Sequence, residues 1–198
     1  MVRKVENLSE EQLETVRRQI GEAFVTNALF HNWGTPEERR EDVLKYIASY
    51  VDYVYRAGEL YANEDLTGFI GLEDSHAAPK LSKFRMLYHM LAELDITRVK
   101  SLLHYVKQIN GSYGKYNRLR HLDVLMVCVD KAHQGRGEAS ELVNFAKQMA
   151  DEKGLALIFG TDMKEYAEMY LHFGCKLYNK ITADNGVTRY CLCYEKEQ

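Results

Sequence analysis

The residues of this chain whose types and spacing could do chemistry are a pair of glycines beside an arginine, a tyrosine, and a few carboxylates and histidines. Gln134-Gly135-Arg136-Gly137-Glu138-Ala139 sits between an apolar run and an amphipathic one. A strand-to-helix turn of this kind is an anion site for elementary reasons. The first turn of a helix has backbone N–H groups without intrahelical partners, and its aligned peptide dipoles place partial positive charge there. Gly135 and Gly137 carry no Cβ, so an oxygen can approach the backbone. Arg136 offers a guanidinium that can pair with phosphate. On these residues alone the turn either binds a phosphate or other anion, or is only a tight connection. Two common phosphate motifs are absent as strings. No G-x-x-x-x-G-K-[ST] occurs, and Gly135-Arg136-Gly137 runs into Ala139-Ser140 without the third glycine of G-x-G-x-x-G.

The elements that must position this turn are read from hydrophobic period and cap signals. Residues 9–30 have Ser9 and Gln12 in capping-box spacing and a stripe of Leu13, Val16, Ile20, Ala23 and Phe24, which predicts a helix. His31-Asn32-Trp33-Gly34 interrupts it. Thr35-Pro36-Glu37-Glu38 starts a second helix that buries Val43, Ile47, Tyr50, Val51 and Val54 and ends near Gly58. Short strands at 59–62 and 68–72 flank the polar turn Asn63-Glu64-Asp65. Residues 79–110 carry two helical stripes, Leu81, Phe84, Leu87, Leu91 and then Val99, Leu102, Leu103, Val106, before a polar loop at 110–118. Residues 124–129 are apolar throughout, as in a central strand covered on both faces. After the glycine turn, Leu142, Phe145, Ala146 and Met149 define a helix that Lys153-Gly154 ends. A second buried strand is expected at 155–159. Asp162 is expected to cap a helix at 163–173, with Glu165 completing the box and Gly174 closing it. Asp184-Asn185-Gly186 is a tight-hairpin signal between two last strands.

At 198 residues, with two prolines and no Gly/Ser-rich or single-sign charged tract, one domain is expected over 1–198. A net charge of −3 disfavours nucleic acid or an anionic membrane as the main partner. The first residues, Met1-Val2-Arg3-Lys4-Val5-Glu6, lack the apolar core of a signal peptide, and no run reaches membrane-spanning length, so a cytoplasmic location is expected. Cys128, Cys175, Cys191 and Cys193 form no CxxC pair and are expected to be buried as small hydrophobes, and the histidines form no HExxH set, so no metal is expected.

Gln134-x-x-Gly137-x-Ala139, directly after Val127-Cys128-Val129-Asp130, resembles the [QR]-x-x-G-x-[GA] signature of the GCN5-related N-acetyltransferase superfamily. The order of elements from His121 to Tyr178 is similar to that family's cofactor half, and Tyr170-Leu171-His172-Phe173-Gly174 to its Y-x-x-x-G-F helix ending. Cys175 stands where phenylalanine is usual, and Asp162 or Met163 where an asparagine is frequent. Strand His121–Val129 and the two helices at 9–56 before the hairpin most resemble the small-molecule enzymes of the puromycin-acetyltransferase type.

The resemblance implies an α/β fold: a mixed central sheet with a V-shaped splay between its two central strands and helices on both faces. It divides the chain into an acceptor-side half of about 1–118 and a cofactor half of about 119–198. It implies an N-acetyltransferase that moves acetyl from acetyl-CoA to a primary amine of a small molecule, with a homodimer allowed. The backbone of Val127, Cys128 and Val129 would pair with the pantetheine arm. The N–H groups of Gly135, Arg136, Gly137, Glu138 and Ala139 would hold the pyrophosphate, with Gln134 shaping the loop. Tyr170 would protonate the departing thiolate. Read without the family, Tyr170 belongs to a core stripe with Tyr166, Met169 and Phe173. His121, Asp123 and Glu73 are candidate general bases, each also readable as a solvated or salt-bridged residue. Tyrosines within 46–61 could line an acceptor cleft. A non-catalytic acyl-CoA-binding domain and a protein N-acetyltransferase are the alternatives.

Overall fold

The computed structural model describes residues 1–77, 81–109 and 113–196. Among the described residues seven strands form one sheet in the order β1 (Arg3–Lys4), β2 (Leu60–Ala62), β3 (Gly68–Asp74), β4 (His121–Val129), β5 (Ala156–Thr161), β7 (Thr188–Tyr194), β6 (Lys176–Thr182). Every neighbouring pair is antiparallel except β4 and β5. A parallel pair needs a crossover, and helix α5 (Glu138–Lys153) supplies it. One face of the sheet packs on α1 (Glu10–Phe24) and α2 (Pro36–Ala57), burying Val16, Ile20, Val43 and Val51 against Phe69 and Met126. The other packs on α5 and α6 (Lys164–His172), burying Leu142, Val143 and Ala146 against Ile70, Val124 and Leu157. Among the described residues no helix is long and apolar enough to cross a membrane.

Both capping boxes form as read. Ser9 and Thr35 each accept from the backbone N–H three residues on, and Gln12 and Glu38 reach back to the cap. The expected helix over 9–30 stops at Phe24, because Asn27 accepts from Leu29 N–H at 2.9 Å and starts a separate 3₁₀ turn, Ala28–Trp33. That turn buries Phe30 and Trp33, which pack on Tyr46. The expected helices in 79–110 are α3 (Leu81–Glu93) and α4 (Ile96–Ile109); residues 79, 80 and 110 lie outside the described residues. The stripe expected to pack α3 faces solvent instead. Phe84 is 64% exposed and Leu91 51%, while Met90 is buried. α3 rests on α2 rather than on the sheet, so of its apolar side chains Met86 and Met90 are the ones covered. On α4, Val99 and Leu102 are buried and Leu103 is exposed. All four cysteines are buried free thiols.

Candidate active site

The central strands part company half-way along. β4 pairs with β5 from His121–Ala156 to Val124–Phe159, and no pairing continues beyond that among the described residues. From Met126 to Val129 one side of β4 is paired with β3 and the other faces a gap. A bulge sits at the point of divergence: Gly71 pairs with Met126 and Leu72 with Val124, so Leu125 is an extra residue. The bulge changes which side chains face which helices. Val124 packs toward α5, whereas Met126 and Cys128 pack toward α1 and α2. Residues 124–129 are therefore not one uniformly buried run, since Leu125, Val127 and Val129 are only half-buried.

The glycine turn closes one end of this gap. Gly135 (φ +78°) and Gly137 (φ +88°) occupy the left-handed region, and a Cβ at either would meet no described atom within 4 Å. Gly137 is the N-cap of α5, and no described side chain caps that end. Gln134 Nε2 donates to the Val129 carbonyl at 3.2 Å and ties the turn to the strand. Glu138 points the other way: its carboxylate accepts from Asn63 Nδ2 at 3.0 Å and Thr67 Oγ1 at 2.9 Å, anchoring α5 to the β2–β3 turn. Arg136 is exposed and its side chain is not part of the cavity wall.

A cavity of about 610 Å³ runs from this turn, along Val127–Val129, to a wall built by α2, α4 and β7. Tyr170 lies along it, 7% exposed, with its ring 4.7 Å from that of Phe159. Burial holds the Tyr170 phenol above its usual pKa, so the proton stays on oxygen at neutral pH. At the far end, Asp123 lines the cavity with one carboxylate oxygen buried and without a hydrogen-bond partner among the described residues. Burial pushes its carboxyl up to about 6, with His121 and Arg189 pulling down and Glu73 pushing up. Tyr50 donates to the Leu125 carbonyl at 3.3 Å, next to the bulge. Arg189 grips Asp162 through Nε and Nη2 at 2.8 and 2.9 Å, and Tyr105 donates its hydroxyl to the same carboxylate. Burial alone would lower the Arg189 pKa, but Asp162 beside it holds it above the usual value.

No family model matches the sequence, and no curated protein matches it. Solved structures do. Arylalkylamine N-acetyltransferase 2 from Aedes aegypti superposes with a TM-score of 0.65 at 14% identity, covering 98% of both chains. An acetyltransferase of the GNAT family from Streptococcus agalactiae gives 0.59 at 15% identity, covering 100% of this chain and 96% of that one. The NatC complex, solved with a Gag peptide and CoA, gives 0.51 at 12% identity over 100% and 98%. The chain has the GCN5-related N-acetyltransferase fold.

Within that fold the structure brings most of the expected residues to one cavity. Val127, Cys128, Val129, Gln134, Gly135, Gly137, Glu138, Ala139 and Tyr170 line it; Arg136 does not. Of the three expected bases, Asp123 alone lines the cavity. His121 is buried against Tyr113 and Tyr116, with Nδ1 2.8 Å from the Leu119 carbonyl. Glu73 accepts from the Tyr53 hydroxyl at 2.7 Å. Asp162, expected as a helix cap, is not one. Met163 is the N-cap of α6 and its side chain does not cap the helix, its sulfur accepting instead from Ala28 N–H at 3.3 Å; Asp162 turns inward because the half-buried Arg189 guanidinium outcompetes an amide as its partner. Sequence reasoning missed the Arg189–Asp162 pair. An arginine on a hairpin strand carries no positional signal, and an aspartate before a helix reads first as a cap.

Proposed function

We propose that the chain is an acetyl-CoA-dependent N-acetyltransferase acting on a primary amine of a small molecule. The observation that carries this reading is the continuity of one cavity, from the open glycine turn at the uncapped start of α5, past the unpaired edge of β4, to Asp123. The residues fit the co-substrate. The N–H groups of residues 135–139 suit a pyrophosphate, the free edge of Val127–Val129 suits an amide-bearing arm that adds like a strand, and the NatC neighbour was solved with CoA. Acetyl-CoA supplies a thioester, whose acyl carbon takes the amine nitrogen as its C–S bond breaks.

The chain's own groups handle the protons. An amine enters as an ammonium, and Asp123, with its carboxyl at about 6, is ionised at neutral pH and takes one proton to free the lone pair. Tyr170 keeps its phenolic proton and gives it to the departing sulfur; the second proton of the amine then restores it through solvent. Cys128 does not compete as a nucleophile, because burial pushes its thiol up to about 12. The presence of both Asp123 and Tyr170 in the cavity supports an enzyme over a silent acyl-CoA binder.

Tyr170→Phe tests the reading. We expect kcat to fall about 100-fold while acetyl-CoA affinity stays within a factor of two. Unchanged kcat removes Tyr170 from the mechanism, and no binding heat with acetyl-CoA removes the cofactor assignment.

A further inference from the structure

The far end of the cavity has its own chemistry, and its assignment to an acceptor rests on the transferase reading of the site. Its wall is apolar and aromatic: Phe24, Leu29, Tyr46, Tyr50, Leu102 and Tyr113 face it. Tyr46 and Tyr50 stack with centroids 6.3 Å apart and planes 16° off parallel. Burial pushes Tyr46 up to about 12 and Tyr50 well above its ordinary value, so both rings stay neutral. The charged groups lining this end are Asp123, Asp162 and Arg189. Two of these cancel, since Asp162 takes both Nε and Nη2 of Arg189 and a Tyr105 hydroxyl as well. What remains is one carboxylate among aromatic faces.

The side of this chamber between α4 and the β6–β7 hairpin is bridged. Tyr105 and Ile109 pack on Ala183 and Val187. Outside them, Asp184 accepts from Gln108 Nε2 at 2.8 Å, donates its own N–H to Gln108 Oε1 at 2.9 Å, and lies 2.7 Å from His104 Nε2. An extended polypeptide crossing here would have to displace that bridge.

We propose that the acceptor is a monoamine: one primary ammonium on an aromatic body, with no carboxylate and no second positive charge. The ammonium pairs with Asp123, and the aromatic body packs against Tyr46 and Tyr50. A ring in such a chamber gains burial and edge or stacking contacts, and the cation gains from the neighbouring ring faces. A carboxylate on the acceptor would meet Asp123 and an arginine already neutralised. A second ammonium would be desolvated without a partner.

The test uses the full chain with five probes: 2-phenylethylamine, phenylalanine, 1,4-diaminobutane, a lysine-containing hexapeptide, and butylamine as an amine without a ring. Calorimetric binding is measured with and without saturating CoA, beside acetylation rates. We expect 2-phenylethylamine to bind at least tenfold more tightly than phenylalanine, the diamine or the peptide. Asp123→Asn should weaken that binding at least tenfold and leave CoA affinity unchanged. Tyr46→Leu should weaken 2-phenylethylamine about fivefold while leaving butylamine unaltered. Equal or tighter binding of phenylalanine, the diamine or the peptide overturns the assignment, as does failure of 2-phenylethylamine to bind. If that amine binds through Asp123 but acetyl-CoA does not bind, the transferase reading fails and the monoamine chamber stands.

Discussion

The two ends of the cavity are built from different materials. At the turn end, the groups offered to a ligand are main-chain N–H and C=O, freed by two glycines, an uncapped helix and a strand edge that loses its partner after Val124. At the far end they are side chains: a carboxylate, a closed ion pair and stacked rings, drawn from α2, α4, β4, β5–α6 and β7. A main-chain site depends on backbone conformation and tolerates changes of most letters. A side-chain site depends on each letter and on its partners.

That contrast can be broken by substitutions at each end. The largest expected effect is Asp162→Asn, which leaves Arg189 buried without its counter-charge. We expect a loss of about 3–5 kcal/mol in denaturant unfolding. A loss below about 1 kcal/mol would mean the far end does not depend on this pair. Gly137→Glu is next. It places a side chain in the concave face of the turn, where we expect acetyl-CoA affinity to fall about 100-fold, or about 2.7 kcal/mol, with the far chamber intact by 2-phenylethylamine binding.

Asp123→Asn divides function from stability. The folded pKa of Asp123, about 6, lies above its unfolded value of 3.8. The native state therefore holds this proton more tightly, and the wild type loses stability against the Asn variant as pH rises from about 4 to about 6. At pH 8 we expect Asn to be more stable by about 1–3 kcal/mol, with no difference below pH 4. Wild-type kcat/KM should rise with pH through about 6, and Asn should abolish that limb. The smallest effect is Arg136→Ala, expected to change acetyl-CoA affinity less than threefold, because its guanidinium is exposed and outside the wall. A tenfold loss there would mean that a side chain carries the turn end after all.

The same contrast explains what was legible in the sequence. Glycines that need a left-handed backbone, cap residues and apolar runs each follow local rules, so Gly135, Gly137, Ser9, Thr35 and the β4–α5–β5 unit were readable. The splay was readable only through resemblance to a fold, since strand pairing is a long-range fact. Three features were illegible for identifiable reasons. Leu125 as a bulge residue looks like any other apolar letter. The exposed stripe of α3 carries an ordinary helical period, and only its perch on α2 rather than the sheet leaves it uncovered. Asp162 had two competing partners, a nearby amide and a distant guanidinium, and chain order displays only the first.

The extra residue at Leu125 also constrains the strand in a way that substitutions do not reveal. Side chains on a strand alternate between faces, so removing one residue there would exchange the inward and outward sets from Met126 to Val129. Met126 and Cys128 would turn toward α5, and Val127 and Val129 toward α1 and α2, each into a space shaped for the other. This stretch can therefore change its letters over generations, but an insertion or deletion within it would have to be matched in β3 at the same time.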